Sequence, residues 1–191
     1  MRRTAAAVLT AALAALTVVV SGCTGTTTAA PTPVRSTDLT SSDGGFAENA
    51  VIGVVLTGDA ATPGDSGDGR SLATRFREEL TAAGFRPDIR VAGADEAARQ
   101  RSAVRDLVQT GAKALLVRAA DPSTLRSELR TAHDAGVVVV ALDGPLPSSG
   151  GGNDGLSSDY RLDGGDSDAQ LVSRAIEMVT SLQRGEEPTE Q

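Results

Sequence analysis

The sequence predicts an α/β domain built on one doubly wound, mostly parallel sheet with helices on both faces. Three observations support this fold class. Short apolar runs of strand length recur along the chain, and a segment with helical period follows each of the first four. The strands carry apolar residues on both faces, as in parallel sheets covered on both sides. Right-handed crossovers then favour the strand order 2-1-3-4-5.

The individual elements follow from the spacing of apolar residues and from the residues that begin or end helices. The predicted strands are residues 51–56, 87–92, 114–117 and 137–142, with a short fifth at 156–158. The first predicted helix spans residues 68–83, with Leu72, Phe76 and Leu80 spaced by four, and the last spans residues 163–182. Between them, one helix is capped by Asp95 and closed by Gly111. Another starts at Asp121-Pro122 and ends at Gly136.

The amino terminus has the layout of an export signal. Arg2 and Arg3 precede an apolar stretch, residues 5–20, which is short for a spanning helix. Ser21-Gly22-Cys23 follows and resembles the bacterial lipobox, in which the chain is cut before the cysteine and its thiol carries lipid such as palmitate. We therefore expect residues 1–22 to be a lipoprotein signal peptide. A plain signal peptide with a chance cysteine is the alternative.

The remaining chain divides by composition. Residues 23–49 are rich in Thr, Ser, Pro, Ala and Gly, which predicts a lipidated flexible tether. Residues 50–183 suffice for one small domain, and residues 184–191 are expected to be a disordered tail. Anchoring through Cys23 would hold the domain at the extracytoplasmic face of the cell membrane, in contact with the bilayer.

Charge and composition exclude several functions. Residues 1–22 contain two arginines and no acid, so the rest carries 16 basic and 25 acidic side chains, a net charge of −9. This acidity argues against nucleic acid as a partner. Cys23 is the one cysteine and His133 the one histidine, so cysteine-based zinc sites and multi-histidine metal sites are excluded. No catalytic residue, metal or cofactor is predicted, and we expect no enzyme.

Ligands of such sheets bind beyond the carboxyl ends of the strands. Here those ends carry Thr57 and Asp59, Arg118 and Asp121, and Asp143. Asp143 could accept hydrogen bonds from ligand hydroxyls, or it could cap the turn with Gly144-Pro145.

Two other features have simpler explanations. The Gly/Asp-rich loop at residues 64–71 resembles a phosphate loop or a calcium loop only loosely, and a turn before a helix is the simpler interpretation. His133 is expected to be a partly exposed helix residue.

Four stretches together resemble the sugar-type (type 1) periplasmic binding proteins that serve ABC importers. They are residues 51–56, 107–117, 132–143 and 156–165. The resemblance implies that Asp143 binds a sugar hydroxyl and that the Ser158-Asp159-Tyr160 phrase lies near the hinge. It adds Asp159 and Tyr160 to the candidate ligand-binding residues, with Tyr160 the one aromatic side chain expected near the cleft.

The resemblance covers the amino-terminal lobe of a two-lobe protein. It implies a membrane-anchored solute-binding lipoprotein that presents a small polar ligand, such as a sugar, to ABC permease subunits. A partner chain could supply the second lobe, or the chain could be truncated to one lobe. The alternative is a single-lobe surface interaction or regulatory module without a role in transport.

Overall fold

Five parallel strands form one sheet in the computed structural model of the chain, which describes residues 45–63, 69–93, 95–144, 146, 158–163, 167–186 and 188. The strands are β1 (Val51–Leu56), β2 (Arg86–Val91), β3 (Ala114–Val117), β4 (Val138–Leu142) and β5 (Tyr160–Leu162). Their order is β2-β1-β3-β4-β5, which confirms the predicted topology.

Four α-helices connect or follow these strands. They are α1 (Leu72–Ala82), α2 (Glu96–Gln109), α3 (Arg126–Asp134) and α4 (Asp168–Gln183). Two 3₁₀ turns, Gly58–Ala61 and Pro122–Leu125, follow β1 and precede α3. Among the described residues, no helix is both long and apolar enough to cross a membrane.

Alternate residues of the central strands enter two separate apolar clusters, one on each face of the sheet. On β1, Ile52 and Val54 belong to the cluster that α1 and α4 cover, whereas Val55 belongs to the cluster beneath α2 and α3. The same alternation continues along β3 and β4. Because both faces are covered, these strands are apolar at every position. Their continuous apolar runs made them predictable from the sequence.

Gly53 lets side chains of α2 and of β3 pack closely against β1. A Cβ atom at this position would lie 2.6 Å from Leu115 Cδ2 and 2.9 Å from Leu107 Cδ1. Both leucines are fully buried. A side chain at residue 53 would therefore push α2 away from β1, and the glycine permits the close packing.

The fifth strand is present in the predicted order but lies at Tyr160–Leu162, beyond the predicted residues 156–158. Leu156 and Ser157 lie outside the described residues, Ser158 is not in a strand, and β5 begins at Tyr160. Tyr160 and Leu162 point into the core while Arg161 faces solvent, and Tyr160 pairs with Val140 of β4. Among the described residues, the segment that pairs with β4 is therefore Tyr160–Leu162.

The helix after Asp95 starts where predicted, but its cap and the start of the last helix differ from the predictions. Asp95 adopts a left-handed backbone conformation (φ 58°), and its side chain makes no capping hydrogen bond with the described residues of α2. The last helix begins after Ser167, whose hydroxyl accepts the Gln170 N–H, and not at residue 163. Ser71 caps α1 in the same way through Thr74 N–H, and the predicted start at Asp68 lies outside the described residues.

The domain boundaries remain predictions, but two packing contacts bear on them. Phe46, placed in the predicted tether, packs partly buried against the apolar cluster beneath α1 and α4. Gly45 approaches the end of α4, where a Cβ atom would meet the Gln183 carbonyl. Of the predicted tail, the described residues Arg184 and Glu186 form an ion pair of 2.7 Å, Nη2 to Oε2.

Candidate functional site

A cavity lies at the edge of the sheet where β1, β3 and β4 end. Because these strands are parallel, the residues that follow them meet at one edge, and four predicted site residues, Thr57, Asp59, Arg118 and Asp143, come together there. The cavity has a volume of about 580 Å³, within the range of small-molecule sites. Its lining residues are Thr57, Asp59, Glu96, Arg118, Ala119, Ala120, Pro122, Leu142, Asp143 and Gly144.

Arg118 connects the loops that follow β1 and β4. Its guanidinium contacts the Asp143 carboxylate through Nη2 and lies 3.8 Å from Asp59 Oδ2 through Nη1. The side chains of Arg118 and Asp143 are 24% and 20% exposed, whereas that of Asp59 is 71% exposed. The first pair is thus partly shielded from water, and Asp59 forms the solvent side of the site.

Asp143 has a backbone conformation that few side chains adopt. Its φ is +59°, in the left-handed region, directly after the last residue of β4. Aspartate and asparagine tolerate this region better than other residues with a Cβ atom. Its amide also donates to the Leu162 carbonyl of β5 at 2.9 Å, so the turn after β4 is held to β5. A strained residue at a cavity suits a functional position.

Two polar residues of α2 that the sequence reasoning missed hold the neighbouring loops. Glu96 Oε1 accepts the Gly58 N–H at 2.8 Å, and Gln100 bridges the loop after β3. Gln100 is fully buried, one helical turn before the buried Val104. In the sequence, Gln100 is a polar residue on the apolar face of the helix, and this unusual position was the signal that could have identified it. No sequence pattern indicated Glu96.

Asp121 does not line the cavity. Its Oδ1 accepts the Ser123 N–H at 3.0 Å and the Ser123 hydroxyl at 2.7 Å, which caps the 3₁₀ turn as the Asp-Pro pattern predicted. This carboxylate is engaged in starting the turn. Its role in ligand binding stays a prediction.

Asp159 and Tyr160 lie away from the cavity, so the expectation that Tyr160 is near the cleft was wrong. Asp159 exchanges hydrogen bonds with Val139, near the start of β4, and Tyr160 is 6% exposed within the core. Four residues of strand separate Val139 from Asp143, about 13 Å. The physical reason is that these two residues precede or begin β5, whereas the cavity residues Thr57, Arg118 and Asp143 follow their strands.

His133 contacts Asp159 at this opposite edge. The distance from His133 Nε2 to Asp159 Oδ2 is 3.3 Å, and their side chains are 13% and 15% exposed. Of the loop at residues 64–71, positions 64–68 lie outside the described residues. Arg70, at its end, pairs with Glu78 of α1 at 2.8 Å. No described group of His, Cys, Asp and Glu residues could hold a metal ion, and Cys23 lies outside the described part of the chain.

The chemistry of the cavity favours hydroxyl groups over anions. The cavity lining contains three carboxylates, those of Asp59, Glu96 and Asp143, and one guanidinium, that of Arg118. Carboxylates accept hydrogen bonds and repel negative charge. None of the described lining residues is aromatic. The arrangement can therefore recognise a polyhydroxyl compound through hydrogen bonds on the face that this chain supplies.

Comparison with known proteins identifies the family. The model of the periplasmic binding protein domain matches residues 61–156, half of the chain, and the chain belongs to this family. The multiple sugar-binding periplasmic receptor ChvE of Rhizobium radiobacter is 40% identical over 73 residues. That match covers 38% of this chain and 20% of the receptor, so the chain spans about a fifth of its curated relative.

Solved structures of solute-binding proteins are similar to parts of the chain. One is an ABC transporter solute-binding protein of Clostridium phytofermentans with bound β-D-glucose (19% identity, TM-score 0.48), which covers 59% of this chain and 31% of that chain. Another is a carbohydrate transporter solute-binding protein of Chloroflexus aurantiacus in complex with D-glucose (24% identity, TM-score 0.47), which covers 62% and 31% respectively.

Proposed function

We propose that this chain supplies one face of the sugar-binding cleft of an extracytoplasmic solute-binding protein that serves an ABC importer. The single observation that carries the proposal is the Arg118–Asp143 pair in the lining of a 580 Å³ cavity on the carboxyl edge of the sheet. Membership of the periplasmic binding protein domain family and the sugar-binding relative support the same function.

The proposed binding mode assigns a role to each polar group. Asp143 accepts hydrogen bonds from adjacent sugar hydroxyls, and Arg118 holds its carboxylate in place while donating to a ring or hydroxyl oxygen. Hydrogen bonds to charged groups are worth about 1.5–3 kcal/mol each, so two or three would dominate the affinity. Thr57 and the exposed Asp59 line the entrance and add contacts that depend on the ligand.

The cavity needs a second face for tight binding. Small-molecule sites usually bury 70–90% of a ligand, and the exposed Asp59 side chain marks a side open to solvent. We propose that a second lobe covers this side, from further sequence of the same protein or from a partner chain. The ABC permease subunits would then receive the closed complex.

Thermal unfolding across a sugar panel tests the proposal. D-glucose, myo-inositol and L-arabinose are added to the folded full chain, with sodium chloride and glycerol as controls. A ligand at about one hundred times its Kd adds about 2.7 kcal/mol to the unfolding free energy. At about 2–4 °C per kcal/mol, the melting temperature should rise by several degrees. No shift with any sugar, on protein shown to be folded, would contradict the proposal.

We further propose that lipid on Cys23 anchors the protein at the extracytoplasmic face. The apolar stretch followed by Ser21-Gly22-Cys23 supports this step. Mass spectrometry of the membrane-extracted protein should find a chain that begins at Cys23 and carries acyl groups, and Cys23→Ala should move the protein to the aqueous fraction. Membrane retention of Cys23→Ala without acylation would overturn the anchor.

A surface interaction module is the second candidate, and the non-aromatic lining of the described cavity favours it. In that case the Arg118–Asp143 pair would contact a protein. Pull-down from membranes distinguishes the two. Recovery of permease subunits supports transport, whereas recovery of an unrelated partner whose binding Asp143→Asn abolishes supports the interaction module.

A further inference from the structure

We infer that Glu96 and Gln100, on the first turns of α2, are positioning residues that hold two loops of the cleft in their binding conformation. This inference rests on the proposed function. Residues four apart in a helix lie on the same face. Here one of the two contacts the loop after β1 and the other the loop after β3. One helix face therefore sets the spacing of two ligand-binding loops.

Gln100 fixes the loop after β3 through both ends of its amide. Its Nε2 donates to the Arg118 carbonyl at 2.8 Å, and its Oε1 accepts the Ala120 N–H at 2.9 Å. The side chain has no exposed surface. An amide is the group that can donate and accept in this way, and a buried polar side chain with both ends satisfied favours one loop conformation. The backbone of Arg118 is thereby held where its guanidinium reaches Asp143.

Glu96 fixes the loop after β1. Its carboxylate accepts the Gly58 N–H at 2.8 Å, between the two candidate ligand-binding residues Thr57 and Asp59. Gly58 has no room for a side chain, since a Cβ atom there would lie 2.8 Å from the Ala92 carbonyl and 3.0 Å from Glu96 Oε1. The glycine thus allows the backbone to approach the carboxylate closely.

Arg118 completes the connection between the loops. Its guanidinium reaches Asp143 after β4 and Asp59 after β1, while Gln100 holds its backbone. Loss of the Gln100 amide should therefore affect the ligand-facing pair although Gln100 itself is not among the residues that line the cavity. Preorganisation of this kind raises affinity by reducing the ordering that binding requires.

Amide hydrogen exchange and sugar binding by Gln100→Leu and Gln100→Glu test the inference, with D-glucose as the probe. Gln109→Leu, an exposed position on the same helix, is the matched control. In Gln100→Leu, the Ala120 amide should exchange about tenfold faster, since it loses an acceptor. D-glucose affinity should fall by a similar factor. Amides of β4 should keep their protection, which shows that the sheet is intact.

Gln100→Glu separates positioning from packing. A protonated carboxyl can donate to the Arg118 carbonyl and accept from Ala120 N–H, as the amide does, whereas an ionised one can only accept. Affinity relative to wild type at the same pH should recover as the pH falls in Gln100→Glu and should not recover in Gln100→Leu. Wild-type affinity and wild-type exchange at Ala120 in both variants would overturn the role of Gln100.

Two substitutions of Glu96 form a second matched pair of variants. Glu96→Gln keeps an oxygen acceptor and should retain protection of the Gly58 amide, whereas Glu96→Ala should increase its exchange rate about tenfold. Equal exchange rates in both variants would overturn the role of Glu96. If wild type binds no sugar while both amides behave as expected, the positioning contacts hold and the proposed sugar-binding function fails.

Discussion

At both the carboxyl and the amino edge of the sheet, an aspartate contacts a basic side chain, but the surroundings of the two pairs differ. At the carboxyl edge, Asp143 contacts Arg118 beside a 580 Å³ cavity, and its backbone has a left-handed conformation. At the amino edge, Asp159 accepts the Val139 N–H at 2.7 Å and lies beside His133.

The contacts of a carboxylate, and not its place in a motif, therefore indicate its role. One oxygen of Asp159 satisfies a strand amide, which indicates a structural role at the start of β5. The Asp143 carboxylate contacts Arg118, and both side chains line the cavity. This position suits a carboxylate that exchanges hydrogen-bond partners with a ligand. Three substitutions test this contrast.

Asp143→Asn should have the largest effect, and the effect should be on affinity. Asparagine keeps the left-handed conformation accessible but removes the charge that pairs with Arg118. We expect binding of the sugar that raises the melting temperature to weaken about 10- to 100-fold, which is about 1.4–2.7 kcal/mol. Titration calorimetry measures the change. Asp106→Asn, an exposed change of equal charge on α2, is the control, and equal affinities in the two variants would contradict the assignment.

Asp159→Ala should act on stability instead. The Val139 N–H would lose its side-chain acceptor, and an unsatisfied buried donor costs about 1–3 kcal/mol. Urea unfolding should show a loss of that size, while Asp159→Asn, which keeps an oxygen acceptor, should lose less. A sugar affinity that falls in Asp159→Ala without any loss of stability would place this residue in the binding site after all.

His133→Ala should have the smallest effect. The contact with Asp159 is largely shielded from water, but Asp159 keeps its bond to Val139, so we expect a loss of about 0.5–1.5 kcal/mol with no change in sugar affinity. A double-mutant cycle with Asp159→Asn measures the coupling between the two side chains. Independent effects of the two substitutions would show that their contact contributes nothing.

Much of the fold could be predicted because burial on both sides leaves a simple signature. β1, β3 and β4 are short apolar runs between helical segments, and their order follows from the handedness of the crossovers. β5 was misplaced because three residues at a sheet edge give little alternation to detect. Asp95 precedes α2 as predicted, but its side chain makes no capping hydrogen bond with the described residues, since its backbone is left-handed, a conformation that leaves no pattern in the sequence.

The candidate site could be predicted in part. Thr57, Asp59, Arg118 and Asp143 were found because polar residues directly after parallel strands share one edge. Asp121, Asp159 and Tyr160 do not line the cavity, since capping and strand pairing occupy them. Glu96 and Gln100 were missed because a polar residue on a helix resembles an exposed one until its tertiary contacts are known.

Mapping of backbone amide chemical shifts during titration of the full chain with D-glucose tests the central claim most directly. We expect the amides of Thr57–Asp59, Arg118–Ala120 and Asp143 to shift together and saturably, while those of Val139 and Asp159 stay in place. Shifts centred on Val139 and Asp159, or no saturable shift at the carboxyl edge with any sugar of the panel, would contradict it.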